Sequence, residues 1–168
     1  MRRPETGFTL MELLVVIAIA AALTGLAIPS FRASISSAES RDAATSFYSA
    51  LARARSEAIA RNVDINICAR NVTNLNTATC FTGTGAAAAW RNGWIVYQGA
   101  TPTDVLLIHE PIADLLLLNG AAGSLTFDAA GRVSLLANFD LCRGTGDVNG
   151  RRISVSRSGR VALEPHTC

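Results

Sequence analysis

The run from Gly7 to Pro29 constrains this chain more than any other feature. Between Phe8 and Ile28 it sets 21 residues in a row with one ionisable side chain, Glu12. As a helix rising ~1.5 Å per residue it would be about 31 Å long, close to the apolar thickness of a bilayer. A helix that is apolar all round has no face to offer water. It must be buried in a core, removed as a secretory signal, or kept as a membrane span. A short basic leader with Arg2 and Arg3 precedes it, and helix-compatible sequence continues beyond it without a break. Both observations favour a retained span.

Glu12 is the informative residue of the run. A lone carboxylate costs roughly 2.5–3.5 kcal/mol at the centre of a span and less near an end. An amine at Phe8, four residues earlier, would answer that charge if the chain were cut after Gly7. The amine of a neighbouring copy would do the same, and such pairing would fix axial register between helices.

The segment Gly7-Phe8-Thr9-Leu10-Met11-Glu12-Leu13, after a basic leader and before an apolar run, resembles the class III signal of type IV pilins and pseudopilins. The resemblance implies that a prepilin peptidase cuts between Gly7 and Phe8 and methylates the Phe8 amine. It also implies that the span is kept.

Of 168 residues, 161 remain once a seven-residue leader is removed. Subtracting the span leaves one soluble domain with one modest core. The net charge of +2 identifies no partner, and all 15 basic residues are Arg. Coding bias accounts for the absence of Lys better than function does. Four cysteines, Cys68, Cys80, Cys142 and Cys168, point to disulfides outside the cytoplasm. None lies in a CxxC pair and only two histidines exist, so no metal site is expected. Three pairings are open. Local closure favours Cys68–Cys80, across a Thr/Asn-rich loop, and Cys142–Cys168, which ties down the last residue.

Gly25 and Pro29 weaken the helix near residue 29. Beyond them Ala44, Phe47, Tyr48, Leu51, Ala54, Ala58 and Ile59 recur at steps of three and four. One helix from Phe8 to about Arg61 is therefore expected, about 80 Å long. Past Asn62 the period becomes two. Strands are predicted at Val63–Cys68, Gly93–Gln98, Val105–Glu110, Ser124–Asp128, Arg132–Leu136, Arg152–Ser156 and Arg160–Leu163, with a long loop over Asn71–Ala89. Turns at Asp128–Gly131 and Arg157–Gly159 predict two hairpins. The fold class is α+β: a long N-terminal helix packed on an antiparallel sheet or sandwich. Its parts are a leader (1–7), a membrane-spanning helix half (8–29), an amphipathic half (30–62) and a β-rich domain (63–168).

Several further segments narrow the resemblance. They are Leu51 to Asn62, Trp90 to Tyr97, Phe127 to Arg132, Leu141 to Gly144 and Ile153 to Arg160, with a late Cys. Together they resemble minor pilins of the GspH/FimT type over nearly the whole chain. The resemblance implies a structural subunit that primes or caps a type IV pilus, or alternatively an H-type minor pseudopilin of type II secretion. The paired cysteines lean toward the pilus. Implied partners are other minor pilins or pseudopilins, the major pilin, the prepilin peptidase, the inner-membrane assembly platform and the inner membrane itself. The domain would lie on the periplasmic side.

No catalytic constellation and no cofactor motif stands out. Thr82-Gly83-Thr84-Gly85 lacks the Gly-Lys-Ser/Thr ending of a phosphate-binding loop. His109 in an apolar strand reads as structural. The arginines Arg143, Arg151, Arg152, Arg157 and Arg160 form one basic cluster in sequence, offset by Asp140, Asp147 and Glu164. A solvated face is the plainer reading. The alternative is a pilus-displayed DNA receptor working through phosphates. FimT-type DNA-binding pilins carry a Gly-Arg-x-Arg motif. Gly159-Arg160-Val161 matches it, and Ala162 stands where the second Arg would be.

Overall fold

The computed structural model describes residues 9–71, 73, 78–83, 85–113, 116–120 and 122–168, with backbone only for 25–33 and 86–88. Gly7 and Phe8 lie outside the described residues. The chain divides into two compact units, residues 1–38 and 39–168, and helix α1 (Leu10–Arg61) contributes to both.

In the first unit, α1 begins at a cap. The Thr9 hydroxyl accepts a hydrogen bond from the Glu12 N–H at 3.2 Å, and the Thr9 carbonyl accepts from the Leu13 N–H at 3.2 Å. Thr9-Leu10-Met11-Glu12 thus has the spacing of a capping box, with Glu12 in the first turn. Pro29 falls within the helical span rather than ending it. The apolar side chains from Leu10 to Leu23 are all exposed. No helix among the described residues is long and apolar enough to cross a membrane.

In the second unit, α1 buries Ala43, Ala44, Phe47, Ala50, Leu51, Ala54 and Ala58. Five of these seven are alanines, so the helix backbone approaches the sheets closely. Tyr48 and Ile59, expected on this stripe, lie at its margin instead; Ile59 is 51% exposed. The helix stops at Asn62, which is left-handed (φ 54°), and the Val63 N–H closes back onto the Ala58 carbonyl at 3.3 Å. That bond, from the second residue past the helix, is a Schellman closure.

Among the described residues two four-stranded antiparallel sheets follow. The first has the order β3-β2-β1-β5, built from β1 (Ile65–Ala69), β2 (Trp94–Gln98), β3 (Asp104–His109) and β5 (Ser124–Phe127). The second has the order β4-β6-β7-β8, built from β4 (Leu117–Gly120), β6 (Ala137–Cys142), β7 (Gly150–Val155) and β8 (Val161–His166). A 3-10 helix, Ala86–Asn92, lies within the expected long loop and beyond its end.

The predicted strand Arg132–Leu136 is not a strand, and the Asp128–Gly131 turn does not join a hairpin. That segment carries the chain from β5 in one sheet to β6 in the other. The Arg157–Gly159 turn does join the paired strands β7 and β8.

Phe47 centres the core. Its ring meets Trp90, Trp94 and Phe139 edge-on at 5.3, 4.8 and 4.8 Å. Edge-to-face rings add about 0.5–1.5 kcal/mol per pair beyond the area they bury. The Trp90 indole N–H is satisfied by the Ala122 carbonyl at 2.7 Å. Disulfides join Cys68 to Cys80 and Cys142 to Cys168. The second ties the end of β6 to the final residue, whose N–H also donates to the Asp147 carbonyl at 3.0 Å.

Candidate functional site

Two surfaces carry the sequence-predicted site residues. The first is the start of α1. Glu12 is exposed among exposed Leu10, Met11, Leu13 and Leu14, whose exposures run from 55% to 76%. Its backbone N–H is engaged by Thr9. The free N–H groups of a helix's first turn favour a carboxylate there. The Thr-x-x-Glu spacing thus gives Glu12 a local setting beside the one expected for it, the Phe8 amine of its own chain or of a neighbouring copy.

The second surface is the arginine cluster, which the fold divides. Arg152 reaches Asp140 with both ends of its fork, at 2.6 and 3.0 Å. Those hydrogen bonds hold the Asp140 carboxyl below the usual carboxylate range and push the Arg152 guanidinium up. Arg143 pairs with Glu39 at 2.5 Å. Arg151 and Arg152 are neighbours on β7, and neighbours on a strand face opposite ways. Arg151 shares its face with buried Ile153 and Val155; Arg152 shares the other with its register partners Asp140 and Glu164. Arg157 and Arg160 are exposed at the β7–β8 turn. The five arginines therefore do not form one basic face.

Arg55, which the sequence reading did not single out, organises that end of the domain. From α1 it donates to the Gly131 carbonyl at 3.2 Å and the Ser158 carbonyl at 3.1 Å. It thus clasps both turns, and the Val133 N–H joins them again by donating to the Arg157 carbonyl at 3.1 Å. Gly159 has φ +75°, and a Cβ there would collide with the Gly131 carbonyl. No local sequence pattern reports this clasp, because Arg55 and Ser158 are 103 residues apart.

Each histidine has a neighbour among the described residues. His109 stacks on Trp94 at 3.9 Å with an interplanar angle of 13°. The His166 Nε2 lies 3.3 Å from Arg152 and 3.8 Å from Asp140. Ligand atoms of Cys142, His166 and Cys168 lie within 4.8 Å of one another. Both cysteines are consumed by their disulfide, so no thiolate pair is available to a metal.

Comparison with known proteins then bears on the site. Residues 43–159 match the family model described as type II transport protein GspH, and residues 2–28 match the prokaryotic N-terminal methylation motif. The fold is similar to the type IV minor pilin FimU of Pseudomonas aeruginosa in two crystal forms. One is 27% identical over 77% of this chain and 92% of that chain, with a TM-score of 0.61. The other is 25% identical over 76% and 96%, with a TM-score of 0.57. The minor pseudopilin EpsH from the type 2 secretion system of Vibrio cholerae is 15% identical over 76% and 97%, with a TM-score of 0.49. No curated protein matches.

Proposed function

The chain belongs to the GspH family of minor pilins and pseudopilins, and from that premise we propose that it is a structural subunit that primes or caps a type IV pilus. One observation carries the reading. The first turns of α1, Leu10 to Leu23, carry apolar side chains on every side with Glu12 as the one charge, and all are exposed. Such a surface requires lipid before assembly and neighbouring helices after it. Residues 8–29 would form the anchor in the inner membrane, with the domain outside the cytoplasm. A prepilin peptidase would cut between Gly7 and Phe8 and methylate Phe8. The methylation-motif match over residues 2–28 and the likeness to a type IV minor pilin support this reading. Two disulfides fit an oxidising compartment.

A second reading, a pseudopilin of type II secretion, is favoured by the family's own description. The DNA-receptor reading has less support, because Arg143 and Arg152 are already matched with carboxylates. The test is mass spectrometry of filaments sheared from cells. The pilus reading expects this subunit among them, beginning at N-methylated Phe8. Its absence from surface filaments, with loss of protein secretion when it is deleted, overturns the pilus in favour of secretion. An N-terminus at Met1 overturns the processing.

A further inference from the structure

We propose that the groove between α1 and the free edge of β8 receives an acidic, extended segment of another subunit, added to β8 as a strand. Two cavities of about 510 and 310 Å³ line this groove. On the helix side Thr45, Tyr48, Ala52 and Ile59 step along one flank of α1; on the strand side lie Val161 and Leu163. Val161 and Leu163 are alternate residues of one strand, and Thr45 and Tyr48 are one turn apart, so the two cavities run end to end. From residue 41 to residue 59 the helix covers about 27 Å, the length of roughly eight extended residues.

The edge is open. Among the described residues β8 pairs with β7 and with no other strand. The Ser156 N–H donates to the Arg160 carbonyl at 2.9 Å, which marks that pair as hydrogen-bonded. Alternation along an antiparallel ladder then turns the N–H and C=O of Val161 and Leu163 away from β7. The next outward residue, Pro165, has no N–H, so the run of donors stops there. A peptide backbone matches this alternation of donor and acceptor. A phosphate chain offers acceptors only and leaves the two carbonyls unanswered.

The charge selects the occupant. Arg41 and Arg151 line one cavity, Arg55 and Arg160 the other, against one lining carboxylate among the described residues, Glu164. Arg41 and Arg160 are exposed. A second copy of this chain would bring the same excess of arginine, whereas an acidic segment neutralises it. That the occupant belongs to a fellow subunit rests on the pilin reading; the groove itself does not.

The test uses the full chain in detergent micelles and a labelled peptide of alternating Glu and Val. Two control peptides carry N-methyl groups on one or the other alternate set of residues, so each blocks one hydrogen-bonding edge. The unmodified peptide should bind saturably. One methylated peptide should bind at least about tenfold more weakly while the other keeps its affinity. An R41E/R160E variant, with an unchanged circular dichroism spectrum, should weaken binding by a similar factor. Equal binding of all three peptides, or none, overturns strand addition. Binding of a short DNA duplex in place of the peptide, lost in R41E/R160E, assigns the groove to nucleic acid and overturns the proposal. A dimer by sedimentation that excludes the peptide also overturns it. Incorporation into filaments is measured separately, so the groove can fail while the subunit reading stands.

Discussion

Two stretches of one helix use apolar residues in opposite ways. From Leu10 to Leu23 they occupy every side and remain exposed, Leu10 at 76%. From Ala43 to Ala58 they occupy one stripe, and Phe47, Leu51, Ala54 and Ala58 are fully buried. The later stretch has its partner in the same chain, the two sheets. The earlier stretch has none among the described residues of its own unit. Apolar content alone therefore does not say where a helix is buried. Its distribution around the helix does: a stripe satisfies one chain, and an apolar surface on all sides demands other molecules.

The comparison breaks most visibly at Phe47. Phe47→Ala should destabilise the domain by about 3–5 kcal/mol, because it empties the centre of the aromatic cluster. Leu14→Ala, a comparable truncation in the exposed stretch, should leave the same unfolding transition unmoved. Chemical denaturation of both variants in one detergent checks the contrast, and equal losses would erase it. Replacing Cys142 and Cys168 by Ser should cost on the order of 3 kcal/mol by the chain-entropy account. Protection of the β8 amides in hydrogen exchange should fall first. Arg55→Ala should cost about 1–3 kcal/mol, since two charged donors to backbone carbonyls are lost. Proteolysis should then find the turns at residues 128–132 and 157–160 before any other site.

Much of the fold was legible where the pattern was local. The switch from period three-to-four to period two at Asn62 marks the helix end, and the left-handed Asn62 shows why it falls there. The strands β1, β2, β3 and β5 are near their expected places. In the second sheet β7 and β8 are also near their expected places, while β6 and β4 were harder to read. Ala137-Asn138-Phe139-Asp140-Leu141 alternates buried and open positions, yet Val133, Leu135 and Leu136 drew the strand five residues too early. Leu135 and Leu136 are in fact 67% and 66% exposed, in the segment that crosses between sheets. β4 went unread because Leu115 to Leu118 is a continuous apolar run without alternation. At the candidate site, residue types were legible and partnerships were not. Whether Arg143 and Arg152 are available depends on Glu39 and Asp140, and Glu39 lies 104 residues from Arg143. Only the folded chain brings those charges together.

The smallest expected effect on folding belongs to Glu12, and for that reason it separates the two stretches best. If the exposed stretch exists to pack against neighbours, Glu12 matters to assembly and not to the domain. Its position in the Thr9 cap supplies a rival role, which Gln also fills at that place in a capping box. The decisive measurement is the amount of subunit in sheared filaments from cells making wild type, Glu12→Val and Glu12→Gln at matched membrane levels. The account predicts that both variants stay inserted and folded, and that both are depleted from filaments. Equal incorporation of all three would contradict it, and depletion of Glu12→Val with normal Glu12→Gln would reduce Glu12 to a helix cap.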